Sequence, residues 1–442
     1  MKPKAVIALS GGVDSTVSAL LLKKAGYDLT AVFLKNFDIK SWFSGNNKNE
    51  KIVDSCSNLA DQKMAERVAS FLNIPFYVLN FEKEYAKNVF SKFIKGYKKG
   101  ITPNPDVWCN TYIKFGALLK FVEKISPNAY LATGHYARLL RINPKQVQNT
   151  NYQNSKQRRF RTLNNLNFDI ISDLDIRVLD LSSISLLRGI DDLKDQSYFL
   201  WQLSQKQLEK VIFPIGGMMK TEVREIAKKN RLPNADLKDS QGICFVGKLP
   251  VKEFLKNIIK PKKGNVVLGD GTKVGEHDGA FYYTIGERIG IQKIKNQKSK
   301  IKNTNQKLKI FGPNSKPLYI ISKDIKRNLL VIAPDEGQEP LWRKEFQVTD
   351  VHWIGESPKK NELLDIEIRY HQTPKSKGKI LEIPNNKKQI PNKSQNSNPK
   401  KLKIENCRLK IQLFEAVRAV TPGQHVVFYR GEEVLGGAII SK

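Results

Sequence analysis

This chain has few cysteines for its 442 residues: Cys56, Cys109, Cys244 and Cys407. None are spaced C-x-x-C, so a zinc knuckle is not expected, and scattered free thiols fit a reducing compartment. Acidic residues are also few, 43 Asp and Glu against 75 Lys and Arg, a net charge of +32. That surplus favours a polyanionic partner, with nucleic acid the first candidate. No apolar run is long enough to span a bilayer, and an apolar strand begins by residue 5, so the sequence predicts neither a signal peptide nor a membrane partner, and a cytoplasmic location. The G-x-x-x-x-G-K-[ST] motif is missing too, which excludes the kinase-type P-loop.

What stands in its place is an apolar run, Ala5-Val6-Ile7-Ala8-Leu9, stopped by Ser10-Gly11-Gly12-Val13-Asp14-Ser15. A helix is predicted from Thr16 to about Ala25. A buried strand, a glycine turn and a helix start make an anion site. The glycines bring backbone N–H groups close to a ligand, two serines add hydroxyls, and the helix N-terminus adds positive potential. The run matches the S-G-G-x-D-S signature of the PP-loop ATP pyrophosphatases, which cleave ATP between the α and β phosphates.

The first 135 residues alternate strand and helix. Strands are predicted at Leu29–Leu34, Phe76–Leu79 and Ala129–Thr133. Met64, Val68, Phe71 and Leu72 fall on one helical face, a helix holds Tyr85 to Phe93, and another runs from about Tyr112 to Lys124. Such β-α units imply a parallel sheet covered on both faces, with ligands beyond the carboxyl ends of its strands. Three stretches, about 142–185, 293–316 and 373–408, are rich in Asn, Lys, Gln or Ser and read as surface insertions. From Leu318 onward short strands alternate with turns such as Pro422-Gly423, which predicts a small antiparallel barrel. The expected fold class is therefore α/β: a parallel-sheet catalytic domain over 1–213, a small mixed central domain over 214–290, and a C-terminal antiparallel β-barrel over 291–442.

Two cysteines sit where chemistry is feasible. Cys109 ends Thr102-Pro103-Asn104-Pro105-Asp106-Val107-Trp108-Cys109, read as a stiff extended loop near a helix start, where the dipole lowers a thiol pKa. Asp106, three residues earlier, is placed to move a proton. Cys244 lies in Asp239-Ser240-Gln241-Gly242-Ile243-Cys244-Phe245, where Gly242 suggests a turn that presents the sulfur. Cys56 and Cys407 match neither loop and read as idle.

Together with Phe33-Leu34-Lys35-Asn36, Ala132-Thr133-Gly134-His135-Tyr136, Lys194-Asp195-Gln196-Ser197-Tyr198-Phe199-Leu200, Gly275-Glu276-His277, Arg369-Tyr370 and Pro422-Gly423-Gln424, these runs resemble the tRNA-specific 2-thiouridylases of the MnmA type. The resemblance covers nearly the whole chain outside the three insertions. It implies ATP-dependent replacement of the C2 oxygen of the wobble uridine, position 34, by sulfur. By resemblance, Ala8, Leu9 and Ser10 to Ser15 (Gly11, Gly12, Val13 and Asp14 between them), with Leu34 and Gly134, bind ATP, and magnesium is expected to neutralise its phosphates. Cys244 carries a persulfide from a donor protein, Cys109 is its partner nucleophile, and the two form a transient disulfide. Asp106 is the general acid/base. Asn104, Pro105 and Asp106 meet the flipped target base; His135, Lys194, Asp195, Gln196, Arg369, Tyr370 and Gln424 contact tRNA. A monomer is expected. Two features depart from the family pattern: Gln241 replaces the usual threonine, and the insertion after Arg138 separates His135 from Lys194 by an unusual length of chain.

Overall fold

The computed structural model describes residues 2–37, 58–142, 183–239, 250–289, 316–337, 339–382 and 408–441. Gln241 and Cys244, like Cys56 and Cys407, lie outside the described residues, as do most of the three expected insertions.

The N-terminal sheet contains β1 (Lys4–Ala8), β2 (Asp28–Lys35), β3 (Phe76–Asn80), β4 (Tyr130–Ala132) and β7 (Val211–Ile212), in the order β3-β2-β1-β4-β7. Every pairing is parallel. Both sheet faces are covered, which is why the central strands are nearly all apolar. Ala5 and Ile7 of β1 pack with helix α1 (Val13–Lys24), helix α2 (Asn58–Phe71) and helix α5 (Lys220–Lys229). Val6, Val32 and Leu131 point the other way, against Phe115, Leu118, Leu119 and Val122. Those four belong to α4, a continuous helix made of Pro105–Trp108, a π-helical stretch Cys109–Leu118, and Leu119–Ile125. It begins seven residues before the expected start: Pro105 occupies its first turn, where a missing N–H costs nothing, and the Asn104 side chain caps it by accepting from the Asp106 N–H at 3.1 Å. Phe71, expected on the buried face of α2, is half exposed; Ala65, Val68, Ala69 and Leu72 make the contact instead.

The expected terminal barrel loses its first two strands. Strands β11 (Leu318–Asp324) and β12 (Leu329–Pro334) join β8 (Gly264–Leu268), β9 (Lys273–His277) and β10 (Arg288–Ile289) in a central sheet, ordered β10-β11-β12-β8-β9. The reason is burial. Ile320, Leu330 and Ile332 pack with Val266 and Val274 against Phe90, Phe93, Ile94 and Tyr97 of α3, the helix over 82–98, and Cys109 and Ile113 of α4 belong to the same cluster.

The barrel is built from β13 (Trp342–Trp353), β14 (Leu364–Glu367), β15 (Ser376–Glu382), β16 (Leu409–Arg418), β17 (His425–Arg430) and β18 (Glu433–Ile440). Their order is β13-β16-β15-β14-β17-β18, closed by antiparallel pairing of β13 with β18. Strand β15 falls inside the stretch expected as the third insertion; its alternation buries Ile380 in the barrel and leaves lysines outside, so composition alone misread it. A hairpin of β5 (Ala137–Ile142) and β6 (Ser183–Arg188) extends from β18 through Glu433 and Leu187. Ile142 pairs with Ser183, so the chain on either side of the first expected insertion meets across one rung.

Candidate active site

All the sheet's strands run the same way, so the ends of β1, β2 and β4 open on one edge. The Ser10–Ser15 turn lies there. Gly11 adopts a positive φ of 85°, and a side chain on it would press within 2.5 Å of the Asp61 carbonyl oxygen, so the turn requires glycine. Ser15 Oγ donates to the Gly12 carbonyl at 3.0 Å and accepts from the Ser10 N–H at 3.2 Å. Asn234 Nδ2 holds the outside of the turn, donating to the Gly11 carbonyl at 2.6 Å and to Thr16 Oγ1 at 2.9 Å. Helix α1 starts at Val13, three residues before the expected start, with Gly12 as its cap. Ala8 and Leu9 lead into the turn, and Leu34 stands half-buried near the end of β2. Gly134, just past β4, lies directly on the start of α1: a Cβ there would sit 2.7 Å from the Ser15 nitrogen.

Asp14 is the acidic group of the turn. Its Oδ1 accepts from the Tyr136 hydroxyl at 2.8 Å and from Lys220 Nζ at 2.6 Å. Lys220 also pairs with Asp239 at 2.8 Å, and Asp239 is further held by Lys194 at 2.8 Å and by Arg224. Burial alone would raise the Asp239 pKa; the hydrogen bonds from Lys194 and Lys220 outweigh it and hold the carboxyl well below the usual range. An ionic chain therefore runs from the glycine turn to the residue five positions before Cys244. Lys194, expected at tRNA, is an internal partner here.

The thiol end is built on α4. Thr111 Oγ1 donates to Gln202 Oε1 at 2.9 Å, and Asn110 Nδ2 to the Phe199 carbonyl at 3.3 Å. Just before the helix, the Thr102 N–H donates to the Pro422 carbonyl at 3.0 Å, and Gln424 Nε2 donates to the Thr102 carbonyl at 2.7 Å. Thr102 Oγ1 is 3.1 Å from Thr284 Oγ1 of the central region. All three regions thus meet at the residues that lead into Asn104-Pro105-Asp106. Tyr370 comes from the barrel side: its ring lies 4.3 Å from that of Phe199 and 3.7 Å, stacked, from that of His371. Burial raises its pKa first, and the charges of Asp195 and then Asp106 raise it further. Arg369 is exposed. Both lie beyond the end of β14 at Glu367, where a strand over 365–370 was expected.

Cys109 is buried, and burial pushes its thiol up to about 11. This reverses the expected depression by a helix dipole: the thiol lies in the apolar seam between α4, α3 and the central sheet, and desolvation wins. Asp106 is raised by burial as well. His135 is buried rather than presented to a ligand. Its Nδ1 is 2.8 Å from Thr133 Oγ1, Lys114 Nζ lies 3.5 Å from its Nε2, and desolvation, then Lys114, push its pKa far down, so the ring is neutral.

Asp195 is likewise turned inward. It accepts from the Gly189 N–H at 2.9 Å and from the Ser197 N–H and Oγ, both at 3.0 Å, and pairs with Arg188 at 3.2 Å. Arg188 also pairs with Glu367 of the barrel at 2.6 Å. Gln196 Oε1 accepts from the Tyr136 N–H at 3.1 Å. As placed, His135, Asp195 and Gln196 shape the site from behind. Sequence reading gave no role to Lys114, Asn234, Tyr136, Lys220 or Asp239. Lys220 opens a helix after a glycine pair, a weak signal that gains meaning only through its contact with Asp14.

Among the described residues, no group of three His, Cys, Asp or Glu side chains could hold a metal ion, and no helix is long and apolar enough to cross a membrane.

Three family models match in succession: a tRNA methyl transferase HUP domain over residues 3–248, a tRNA methyl transferase PRC-barrel domain over 252–334, and an aminomethyltransferase beta-barrel domain over 389–440. Similar relatives include the tRNA-specific 2-thiouridylase MnmA of Streptococcus thermophilus, 36% identical across 100% of this chain and 96% of that protein. The protein of the same name from Enterococcus faecalis gives 36% with the same coverage, and that of Francisella philomiragia 35% across 99% of each.

Proposed function

The chain belongs to the tRNA-specific 2-thiouridylase family, and from that premise we propose that it converts the wobble uridine, position 34, of tRNA to 2-thiouridine at the expense of ATP. One observation carries the reading. Gly134 lies against the glycine turn, and the next residue, His135, has its Nε2 3.5 Å from Nζ of Lys114 on α4, the helix that also carries Asp106 and Cys109. The glycine turn and the helix of Asp106 and Cys109 are therefore neighbours, which supports reading them as a nucleotide site and a thiol site that act together.

The chemistry explains why both are needed. A uracil carbonyl oxygen is a poor leaving group. Attack of O2 on the α-phosphorus of ATP forms an O–P bond, breaks the α–β bridge and releases pyrophosphate, leaving AMP on O2. Ser10 to Ser15 cradle the phosphates through backbone N–H groups and hydroxyls, with the positive end of α1 behind them. Leu34 and Gly134 line the nucleotide. Magnesium binds through few protein oxygens and keeps phosphate oxygens and water, so it fits a site where Asp14 is the carboxylate at hand; it would offset phosphate charge.

Sulfur arrives as a persulfide on Cys244, loaded by a donor protein. The Cys109 thiolate attacks Cys244 Sγ, the inner sulfur of the persulfide S–S bond. That S–S bond breaks, hydrosulfide leaves and attacks C2, and AMP departs with the original oxygen. If the outer sulfur attacks C2 first, Cys109 then cleaves the same S–S bond. Either order ends in a Cys109–Cys244 disulfide, which an external thiol must reduce. Asp106 takes and returns protons at the base and the thiol. Asn104, Pro105 and Tyr370 line the space for the flipped base, while Arg369 and the surplus of lysine draw in the tRNA backbone.

The test is nucleoside mass spectrometry of tRNA after incubation with ATP and a persulfide source. Cys109→Ser and Cys244→Ser should each abolish 2-thiouridine and leave ATP binding intact. Thiolation retained in both would refute the mechanism, and a methylated base formed only with a methyl donor would replace it with methyl transfer.

A further inference from the structure

Resolving a persulfide calls for a thiolate, yet Cys109 is packed where a charge is costly. The cluster around it holds Tyr85 and Tyr97 from α3 and Tyr282 and Tyr283 from the central region, with aromatic and aliphatic side chains between them. Two charged groups act on the thiol, Asp106 and Lys114, both on its own helix. Lys114 favours the thiolate and Asp106 opposes it.

The shape of the helix brings Lys114 to bear. In an α-helix a residue five positions on points to a different face. In the stretch Cys109–Leu118 the hydrogen bonds run from residue i to i+5, so Lys114 falls one π-turn beyond Cys109, toward the same side of the helix. Its ammonium is steadied from β4. His135 is neutral; because an ammonium can only donate, the tautomer that carries its proton on Nδ1, 2.8 Å from Thr133 Oγ1, is the one that lets Nε2 accept from Lys114 Nζ at 3.5 Å. Among the described residues, no carboxylate forms an ion pair with Lys114, so its charge is not cancelled at the source. Asp106 lies one turn before Cys109, on the same side.

We propose that Lys114 is a positioning residue of the thiol site: held by His135, its ammonium stabilises the Cys109 thiolate as the thiol proton passes to Asp106. This deepens the thiolation reading and rests on it for its purpose, but it can be measured without it. A neutral imidazole is the right support, because it accepts a hydrogen bond without quenching the charge, as a carboxylate would. The π-helical stretch gains a reason as well, since a regular α-helix would turn the ammonium away.

The experiment follows alkylation of Cys109 by iodoacetamide against pH in the full chain, read peptide by peptide by mass spectrometry, alongside 2-thiouridine formation. An opposite charge a few ångströms away shifts a pKa by about one unit or more. Lys114→Gln should therefore raise the alkylation midpoint by about one unit and slow alkylation near pH 7.5 about tenfold. Lys114→Arg, which keeps the charge, should recover most of the rate and guards against misfolding of the glutamine variant. Lys92→Gln is the control, since that ammonium lies over the rings of Trp108 and Tyr112. An unchanged Cys109 profile in folded Lys114→Gln overturns the proposal, even if thiolation falls. A shifted profile in a chain that makes no 2-thiouridine supports the proposal and sinks the thiolation reading alone.

Discussion

Gly134→Ala probes the join between the nucleotide turn and the sheet with a single methyl group. The alanine Cβ would lie 2.7 Å from the Ser15 nitrogen, 2.8 Å from the Asp14 carbonyl carbon and 2.9 Å from Ser15 Cα. All three are backbone atoms at the first turn of a helix packed against the core, so no side chain can swing aside. Ordinary contact begins near 3.4 Å, and relief requires sliding the start of α1 by about 0.7 Å relative to β4. Overpacking of this kind costs about 1–3 kcal/mol of stability. The functional cost should be larger, because the shifted atoms are those proposed to cradle the phosphates. A misplacement near 1 Å commonly costs about a hundredfold, so kcat/KM for ATP should fall between about ten- and a hundredfold. Gly217→Ala is the matched control, since its Cβ would meet nothing nearer than 4.0 Å. The assay is ATP-dependent pyrophosphate release in the presence of tRNA, with ATP affinity by calorimetry. If Gly134→Ala binds ATP as tightly as Gly217→Ala and turns over as fast, the α1 N-terminus is not the phosphate site.

Lys220→Met strips the ammonium shared by Asp14 and Asp239 and leaves Asp14 of the glycine turn without its cation; loss of one charge-assisted hydrogen bond, about 1.5–3 kcal/mol, should weaken ATP binding about ten- to a hundredfold in calorimetry if the turn is the phosphate site; a change under twofold would uncouple Lys220 from the turn's function. Acid should destabilise the chain before its carboxylates titrate: His425 is buried, accepts from Trp201 Nε1 at 3.0 Å, and desolvation lowers its pKa to about 3. Because the folded value lies below the unfolded one of about 6.5, the folded state resists protonation, and stability is lost as pH falls through the window between them, by about 2 kcal/mol at pH 5. His425→Gln should remove close to one proton from the uptake on unfolding at pH 5, measured from the pH slope of denaturant midpoints, and an unchanged slope would refute this.

How much could be read in advance followed the range of the interaction. The glycine turn, the parallel strands and the Asn104–Cys109 run are local patterns, and each stands within a few residues of its expected place. Strands β11 and β12 went astray because their alternation fits either sheet as a neighbour, and β12 in fact pairs with β8 in parallel. Only contact with α3, more than two hundred residues earlier, assigns Ile320 and Ile332 to the central sheet. Strand β15 was hidden by lysine-rich composition that reports surface exposure rather than pairing. Environment was the least legible property. Nothing in the sequence around Cys109 says that a helix from Pro105 carries the thiol into an apolar seam, or that His135, polar and at a strand end, turns inward toward Lys114. The expected tRNA contacts at Asp195 and Lys194 were drawn from resemblance, and the ion pairs these two make with Arg188 and Asp239 are visible only in coordinates.

The seam at Thr102 bears on how the reaction could be kept from running without its substrate. The barrel reaches it through Pro422 and Gln424 and the central region through Thr284, two residues before the Asn104 cap of α4. The position of Asp106 and Cys109 is therefore set by all three regions together, not by the N-terminal sheet alone. Glu367 of the barrel adds a second tie, since it pairs with the same Arg188 that holds Asp195. A buried pair of that kind contributes little net stability when intact but costs about 3–5 kcal/mol when one partner is removed. It suits a joint that must hold one geometry rather than a joint that must merely hold. A displacement of the barrel would then be felt at the backbone that leads into Asp106 and Cys109, and a displacement of Lys220 at both Asp14 and Asp239.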